Sequence, residues 1–221
     1  MGRVEPEALL SALVTVVTMV LSTCVHEYAH ALAAYRLGDD YAARLGRLTL
    51  NPLAHADPIG TVLLPAMGAL MWGGGFGWGK PVPYIPNNLT RKYSMRAGEA
   101  IIAFAGPFAN LIMGTLSAGL WVGLRRYGVI GNGSPIDSLL GSMVQLNFAL
   151  FFFNLIPMPP LDGSKVAAFL FGRKADPILD AISGAGMLGI MAAIAFGGYL
   201  ISTPVSLLMH WSIKGFSYIL P

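Results

Sequence analysis

The sequence has little charge and almost no cysteine. Only 11% of its 221 residues are charged, against about 25% in a soluble domain. Fourteen basic and eleven acidic side chains cannot cover a water-facing surface of that size. The chain is 55% hydrophobic, with a mean hydropathy of +0.63. These values exclude a disordered chain, a basic nucleic-acid-binding domain and an ordinary soluble enzyme. They leave a polytopic membrane protein in contact with a lipid bilayer. The net charge of +3 reflects a shortage of acids rather than a basic patch. The single cysteine, Cys24, excludes an internal disulfide and any Cys-rich zinc finger. No linker, low-complexity tract or internal repeat divides the chain, so residues 1–221 read as one integral-membrane domain.

Five stretches lack Asp, Glu, Lys and Arg altogether: 8–25, 58–79, 100–124, 138–161 and 181–213. About 20 apolar residues cross a hydrocarbon core of roughly 30 Å. Four of the five stretches reach that length unaided. The first continues through HEYAHALAAYRLG and forms one helix to about Gly38. The second is broken by Pro65 and by Gly73-Gly74-Gly75, which predicts a short or bent span. The reading is an all-α protein with five or six transmembrane segments. Its motif-bearing core covers about 8–172, and C-terminal membrane segments follow at about 181–218. The N-terminal MGRVEPEALL carries Glu5 and Glu7, and no small-residue cleavage site follows the first apolar run, so it does not read as a cleaved signal. Basic residues cluster at Arg36/Arg44/Arg47, at Lys80/Arg91/Lys92/Arg96 and at Arg125/Arg126. Five alternating spans would place these on different sides, and the charge rule then gives no orientation.

Two loops are informative. The first, Asp39 to Asp57, contains YAARLGRLTLNPL, whose partial alternation predicts short re-entrant or edge β-strands between the first two spans. The second, GKPVPYIPNN, holds three prolines between Pro81 and Pro86, which enforce an extended chain.

Chemistry begins in the first helix, where His26, Glu27 and His30 spell HEYAH. Helix positions i and i+4 share a face, so the two imidazoles can hold one metal ion. Glu27 can reach a water on that metal rather than the metal itself, which is the zinc metalloprotease pattern. With a rise of about 1.5 Å per residue, HEYAH lies roughly 27–33 Å along the helix, near the far edge of the hydrocarbon. Ionisable groups at that depth are costly and functional by default.

Such a site needs a third protein ligand and an open position. His55, Asp57, Glu99 and Asp162 are the candidates. Asp162 ends FFFNLIPMPPLDG, where Pro157, Pro159 and Pro160 break the helix inside an apolar stretch. Irregular backbone at membrane depth is tolerated only when buried in protein or lining a wet cavity. Asp162 is also a good N-cap for the helix that follows, and the residues alone leave both readings open.

Five segments carry a resemblance. HEYAH at 26–30, GRLTLNPLAHADPIGT at 46–61, GWGKPVP at 77–83, AGPFAN at 105–110 and FNLIPMPPLDG at 153–163 occur in the order found in the site-2 protease family. These are intramembrane zinc metalloproteases, peptidase family M50, and the resemblance is to the small form without a PDZ or CBS domain. It covers 26–163, about two thirds of the chain. It implies one Zn2+ per chain on His26, His30 and Asp162, with Glu27 as general base. It also assigns Asn154, as donor to the oxyanion or as a substrate-positioning amide; a buried amide satisfying broken backbone near Pro157 is the alternative. Gly106, Pro107 and Asn110 read as residues that let helices approach closely. His55 and Asp57 read as holding their loop, and Glu99 as suiting a helix N-terminus. Cys24 faces away from the histidines, and His210 reads as interfacial.

The reaction implied is hydrolysis of a peptide bond in or near a transmembrane segment, in a multi-pass protein of a bacterial or archaeal plasma membrane. Substrates in such a family are single-pass signalling proteins, membrane-tethered transcription regulators or remnant signal peptides. The segment 41–50 or the GKPVPYIP loop offers an edge for an unwound substrate strand. A homo-oligomer or a regulatory membrane partner is compatible with this reading; nucleic acid is not a partner. The rival readings are a catalytically inactive metal-binding adaptor and a metal transporter. The presence of Glu27 disfavours the first, and the convergence of candidates on one site disfavours the second.

Overall fold

Helix α1, Pro6–Arg36, opens with proline in its first turn and Glu7 beside it, both suited to a helix N-terminus. Its 31 residues reach roughly 46 Å at about 1.5 Å per residue, long enough to cross a bilayer and carry HEYAH in the far third. It stops at Leu37, where Gly38 turns the chain at φ 103°. The computed structural model describes residues 5–72 and 75–220; Gly73 and Gly74 of the glycine run lie outside the described residues.

The strands expected between the first two apolar segments do not form, and there is no strand among the described residues. Two single-turn helices stand in their place, α2 (Tyr41–Arg44) and α3 (Pro52–His55). Local turn chemistry overrides the weak alternation. The Asp39 carboxylate accepts from the Tyr41 N–H, Gly46 turns at φ 70°, and Asn51 caps α3 by accepting from the Leu53 N–H, with Pro52 in the first turn. The extended 80–85 segment has few N–H groups to give a neighbouring strand. Pro81 and Pro83 have no N–H to give, and the Val82 and Ile85 N–H groups go to the carboxylates of Glu27 and Asp39.

The next apolar segment folds back. Asp57 accepts from the N–H groups of Ile59 and Gly60 and so opens a π-helical stretch, Pro58–Leu63. Helix α4, Leu64–Trp72, continues it. The chain reaches the level of Thr15, against which Gly75 packs. It then returns until Gly79 lies against Thr23 and Glu27. A backbone bond from the Trp78 N–H to the Gly60 carbonyl closes this hairpin.

Helices α5 (Met95–Arg126) and α6 (Pro135–Asn154) follow. α5 runs antiparallel to α1: His30 meets Ile102, and Ser22 meets Asn110 about two turns further along. α6 returns antiparallel to α5, with Asn147 on Asn110 and Asp137 holding Arg125 and Trp121 at the opposite end. After the break at 155–162 come α7 (Gly163–Phe171), α8 (Asp176–Gly184) and α9 (Met187–Ile219). Val205 of α9 packs on Ala118, Val144 and Phe148, which form the apolar centre of the bundle.

Among the described residues, three helices are long and apolar enough to cross a membrane: α1, α5 and α6. The five or six segments expected are not confirmed among the described residues: the 58–72 segment turns back, and 163–171 is a short helix. The folding back also changes the charge geometry. Arg36 and Arg44 now lie at the same end of the bundle as Arg91 and Arg96, since the Thr90 N–H donates to the Leu37 carbonyl.

The α5–α6 contact depends on Gly114. A methyl group there would meet the Phe148 ring at 2.6 Å and Asn147 Cβ at 3.3 Å, so the two helices touch across a missing side chain. Gly114→Val should lower stability by about 1–3 kcal/mol through overpacking, seen as a lower thermal midpoint in detergent. Gly215→Ala, where an added methyl meets nothing within 4 Å, should not lower it.

Candidate metal centre

The HEYAH turn presents its histidines to α5. The His26 Nδ1–H donates to Asn110 Oδ1 at 2.6 Å, and the His30 Nδ1–H donates to the Ile102 carbonyl at 2.7 Å. The amide orientation of Asn110 follows from its other bonds. Its Nδ2 donates to the Ser22 carbonyl at 3.2 Å and to Asn147 Oδ1 at 2.8 Å, which leaves Oδ1 for the imidazole. Asn147 in turn donates to Ser22 Oγ and to the Met143 carbonyl. Both histidines are therefore tautomers with a bare Nε2.

Those two nitrogens sit 2.9 Å apart. Asp162 Oδ2 lies 3.2 Å from one and 3.4 Å from the other, buried and without a hydrogen-bond donor. With both imidazoles neutral, three lone pairs converge there with no proton to share among them. Such an arrangement is repulsive unless a cation occupies the space between them. Two nitrogens and one carboxylate oxygen, all within 4.8 Å of one another, are the donor set of a catalytic zinc site with one open position. The residues fit the metal that the motif implies.

The chain around this point is built to leave room. A methyl on Gly106 would overlap His30 Nε2 and stand 2.8 Å from His26 Cε1, so only glycine lets α5 pass the imidazoles. Pro107 follows in the same helix and cannot donate to the carbonyl one turn back. Asp162 reaches the histidines because the chain after Asn154 makes successive tight turns, Ile156 to Met158 and Met158 to Leu161. Gly163 then presses against the Leu155 and Ile156 carbonyls, where a Cβ could not fit. Asp162 occupies the N-cap position of α7, yet it makes no side-chain cap bond there; its carboxylate faces the imidazoles instead.

Glu27 is next to this cluster and outside it. Its Oε2 accepts from the Val82 N–H at 2.8 Å, which holds the carboxylate against the extended 80–85 segment. His26, Glu27, His30, Val82, Asn154 and Asp162 all line one cavity of about 290 Å3. Asn154 donates one amide N–H to the Leu150 carbonyl at 3.1 Å and keeps a second.

The remaining candidates are placed elsewhere. His55 is fully buried. Its Nε2–H donates to the Thr49 carbonyl, and its own carbonyl accepts from the Lys80 N–H. Burial, with the Arg47 guanidinium, holds its imidazole below the ordinary pKa, so it pins the loop as a neutral group. Asp57 caps the π-helical stretch. Glu99 accepts from the Tyr84 hydroxyl and faces Lys165. Cys24 is buried, with Sγ on the Leu50 carbonyl. His210 is exposed beside Trp211. Sequence reasoning gave Asn110 only a packing role and passed over Asn147 and Ser22. The available signal was three polar side chains inside charge-free apolar runs.

Removing the acceptor on Asn110 frees the His26 ring to turn and to take the other tautomer. Asn110→Leu should weaken zinc binding about 10- to 100-fold, measured by competition with a chelator on purified protein.

Comparison with known proteins gives the family. The profile of peptidase family M50 matches residues 128–198, which carry α6, the proline break and Asp162. A Bacillus subtilis protein named "Putative zinc metalloprotease YwhC" is 40% identical over 156 residues, 68% of this chain. Two proteins named "Putative zinc metalloprotease Rip2" are 31% and 30% identical, from Mycolicibacterium smegmatis over 65% of this chain and from Mycobacterium tuberculosis over 72%. The alignments cover 66%, 52% and 58% of these relatives' own lengths, so the chain spans between half and two thirds of the proteins it matches. No solved structure matches it. With these relatives on record, the chain belongs to peptidase family M50, the site-2 protease family of zinc metalloproteases.

Proposed function

We propose that this chain hydrolyses a peptide bond in or near the transmembrane segment of a membrane protein, as a single integral-membrane domain over 1–221. The observation that carries the reading is the convergence of two bare imidazole nitrogens and one carboxylate oxygen beside a second carboxylate, on a helix long enough to cross a bilayer.

His26, His30 and Asp162 hold the ion, and Asn110 and the Ile102 carbonyl keep the imidazoles in the tautomer that can bind it. A zinc ion held there supplies Lewis acidity, polarising a carbonyl and making water acidic enough to attack near neutral pH. Glu27 takes the proton from the attacking water and passes it to the leaving amine. Its hydrogen bond from Val82 keeps one carboxylate oxygen fixed while the other faces the cavity. The second N–H of the Asn154 amide is the donor for the oxyanion that develops on the attacked carbonyl.

A helical peptide bond is shielded by its own hydrogen bonds, so the substrate must unwind before attack. With 41–50 folded as turns and short helices, the extended 80–85 segment is the surface left for it. Pro81 and Pro83 offer only carbonyls, so the substrate's N–H groups do most of the pairing there. The substrate class inferred from the family is a single-pass signalling protein, a tethered transcription regulator or a remnant signal peptide.

Helix α9, with Lys214 its one charged residue, is a further crossing beside α1, α5 and α6. Arg36, Arg44, Arg47, Arg91, Lys92 and Lys165 lie at the metal end of the bundle, and Arg125, Arg126 and Lys214 at the other. The positive-inside rule then faces the metal end to the cytosol of a bacterial or archaeal cell.

Glu27→Gln tests the reading. Loss of a general base costs about 10²- to 10⁴-fold in rate, while the ligand set is untouched. Zinc per chain should stay at the parent value and cleavage of a transmembrane peptide should fall by that factor. Undiminished cleavage by the variant would remove Glu27 from the mechanism.

A further inference from the structure

Above the metal layer, at the same end of the bundle, lies a second polar layer. Tyr84, Glu99 and Lys165 meet in it. The Tyr84 hydroxyl donates to Glu99 Oε1 at 3.2 Å, and Lys165 Nζ lies 3.6 Å from the same oxygen. Each of the three is displaced by a short, regular step from a contact of the metal site. Glu99 is one turn before Ile102, whose carbonyl orients His30. Lys165 is one turn after Asp162 on α7. Tyr84 is two residues beyond Val82, whose N–H holds Glu27. Tyr84 and Lys165 line the metal cavity itself, and Glu99 and Lys165 also line the adjoining cavity of about 470 Å3.

We propose that Glu99 is a positioning residue for the metal site, tying together the three walls that deliver Glu27's hydrogen bond, His30 and Asp162. The inference rests on the reading of His26, His30 and Asp162 as the zinc ligands. Three separate pieces of chain bring these contacts together: the extended segment, α5 and α7. The break at 155–162 leaves α7 without a continuous helix to fix its roll. Its side-chain polar attachments to α5 include, among the described residues, the Arg96 guanidinium on the Ala168 carbonyl and, one turn nearer the metal, Lys165 on Glu99. Without Glu99, the Lys165 ammonium would also be free to swing towards a dication held one turn away. Glu99 draws it aside and neutralises it. Burial and the Glu99 carboxylate push the Tyr84 phenol above its ordinary pKa, so it stays protonated as the donor.

The Lys165 side chain is 51% exposed and that of Glu99 is 19% exposed. A pair of this kind contributes little to overall stability. Its effect belongs to the geometry of the site, and the sensitive readout is metal retention rather than melting. The experiment loads the full-length purified protein with zinc, adds excess chelator and follows zinc release with a chromogenic indicator. Lys165→Met and Glu99→Gln should each release zinc about tenfold faster or more, in the range seen for groups that support metal ligands. Tyr84→Phe should show a smaller acceleration in the same direction. Thermal midpoints should stay near the parent's. The exchanged double variant, Glu99→Lys with Lys165→Glu, should recover most of the slow release that either single change loses. A parent that holds no zinc overturns the metal reading and this inference with it. A zinc-holding parent whose variants release at the parent rate, or an exchanged pair that restores nothing, overturns this inference alone.

Discussion

Two imidazole nitrogens and a carboxylate oxygen are brought within 3.4 Å of one another, and with both imidazoles neutral no proton lies between them. That contact is unfavourable by itself, and the rest of the molecule is arranged to impose it. α1 supplies both histidines from one face because their spacing is one helical turn. α5 passes them through a glycine, since a methyl at Gly106 would fill the space beside them. The chain after α6 abandons its helix for eight residues so that Asp162 can approach from a third direction. A divalent cation held there would turn three mutually repelling lone pairs into ligands.

The histidines hold their orientation because polar groups have been placed where apolar ones would be cheaper. Asn110, Asn147 and Ser22 are buried at the contact of α1, α5 and α6, and each is bonded to another or to backbone. A buried amide left unpaired costs about 1–3 kcal/mol, so the group is stable only complete. Its outermost member fixes the tautomer of His26. The apolar packing beyond it, around Phe148 and Val144, sets the distance between the two helices that carry the asparagines.

Much of the candidate site was legible in the sequence because its signals are local. HEYAH carries its geometry in a spacing of four, and PMPPLDG announces a break at membrane depth followed by a carboxylate. The second role open to Asp162, an N-cap bond, is absent from the structure. What was not legible depends on partners far away in the chain. Asn110 meets His26 across 84 residues and Asn147 across 37, and no local pattern marks either contact. The strands expected at 41–50 failed for the opposite reason. Gly46, Asp39 and Asn51 encode turns, and the prolines at 81 and 83 leave the extended segment few N–H groups to give 41–50. The basic clusters gave no orientation while the 58–79 segment counted as a span. Once that segment folds back beside Thr15 and Thr23, Arg36 and Arg96 belong to one end.

Zinc per chain, measured by elemental analysis of purified protein beside an Asp162→Ala variant, tests the account at its centre. The convergence of His26, His30 and Asp162 predicts about one zinc in the parent, as in three-ligand catalytic sites, and far less in the variant. Equal zinc in both proteins, or none in the parent after reconstitution, would contradict it.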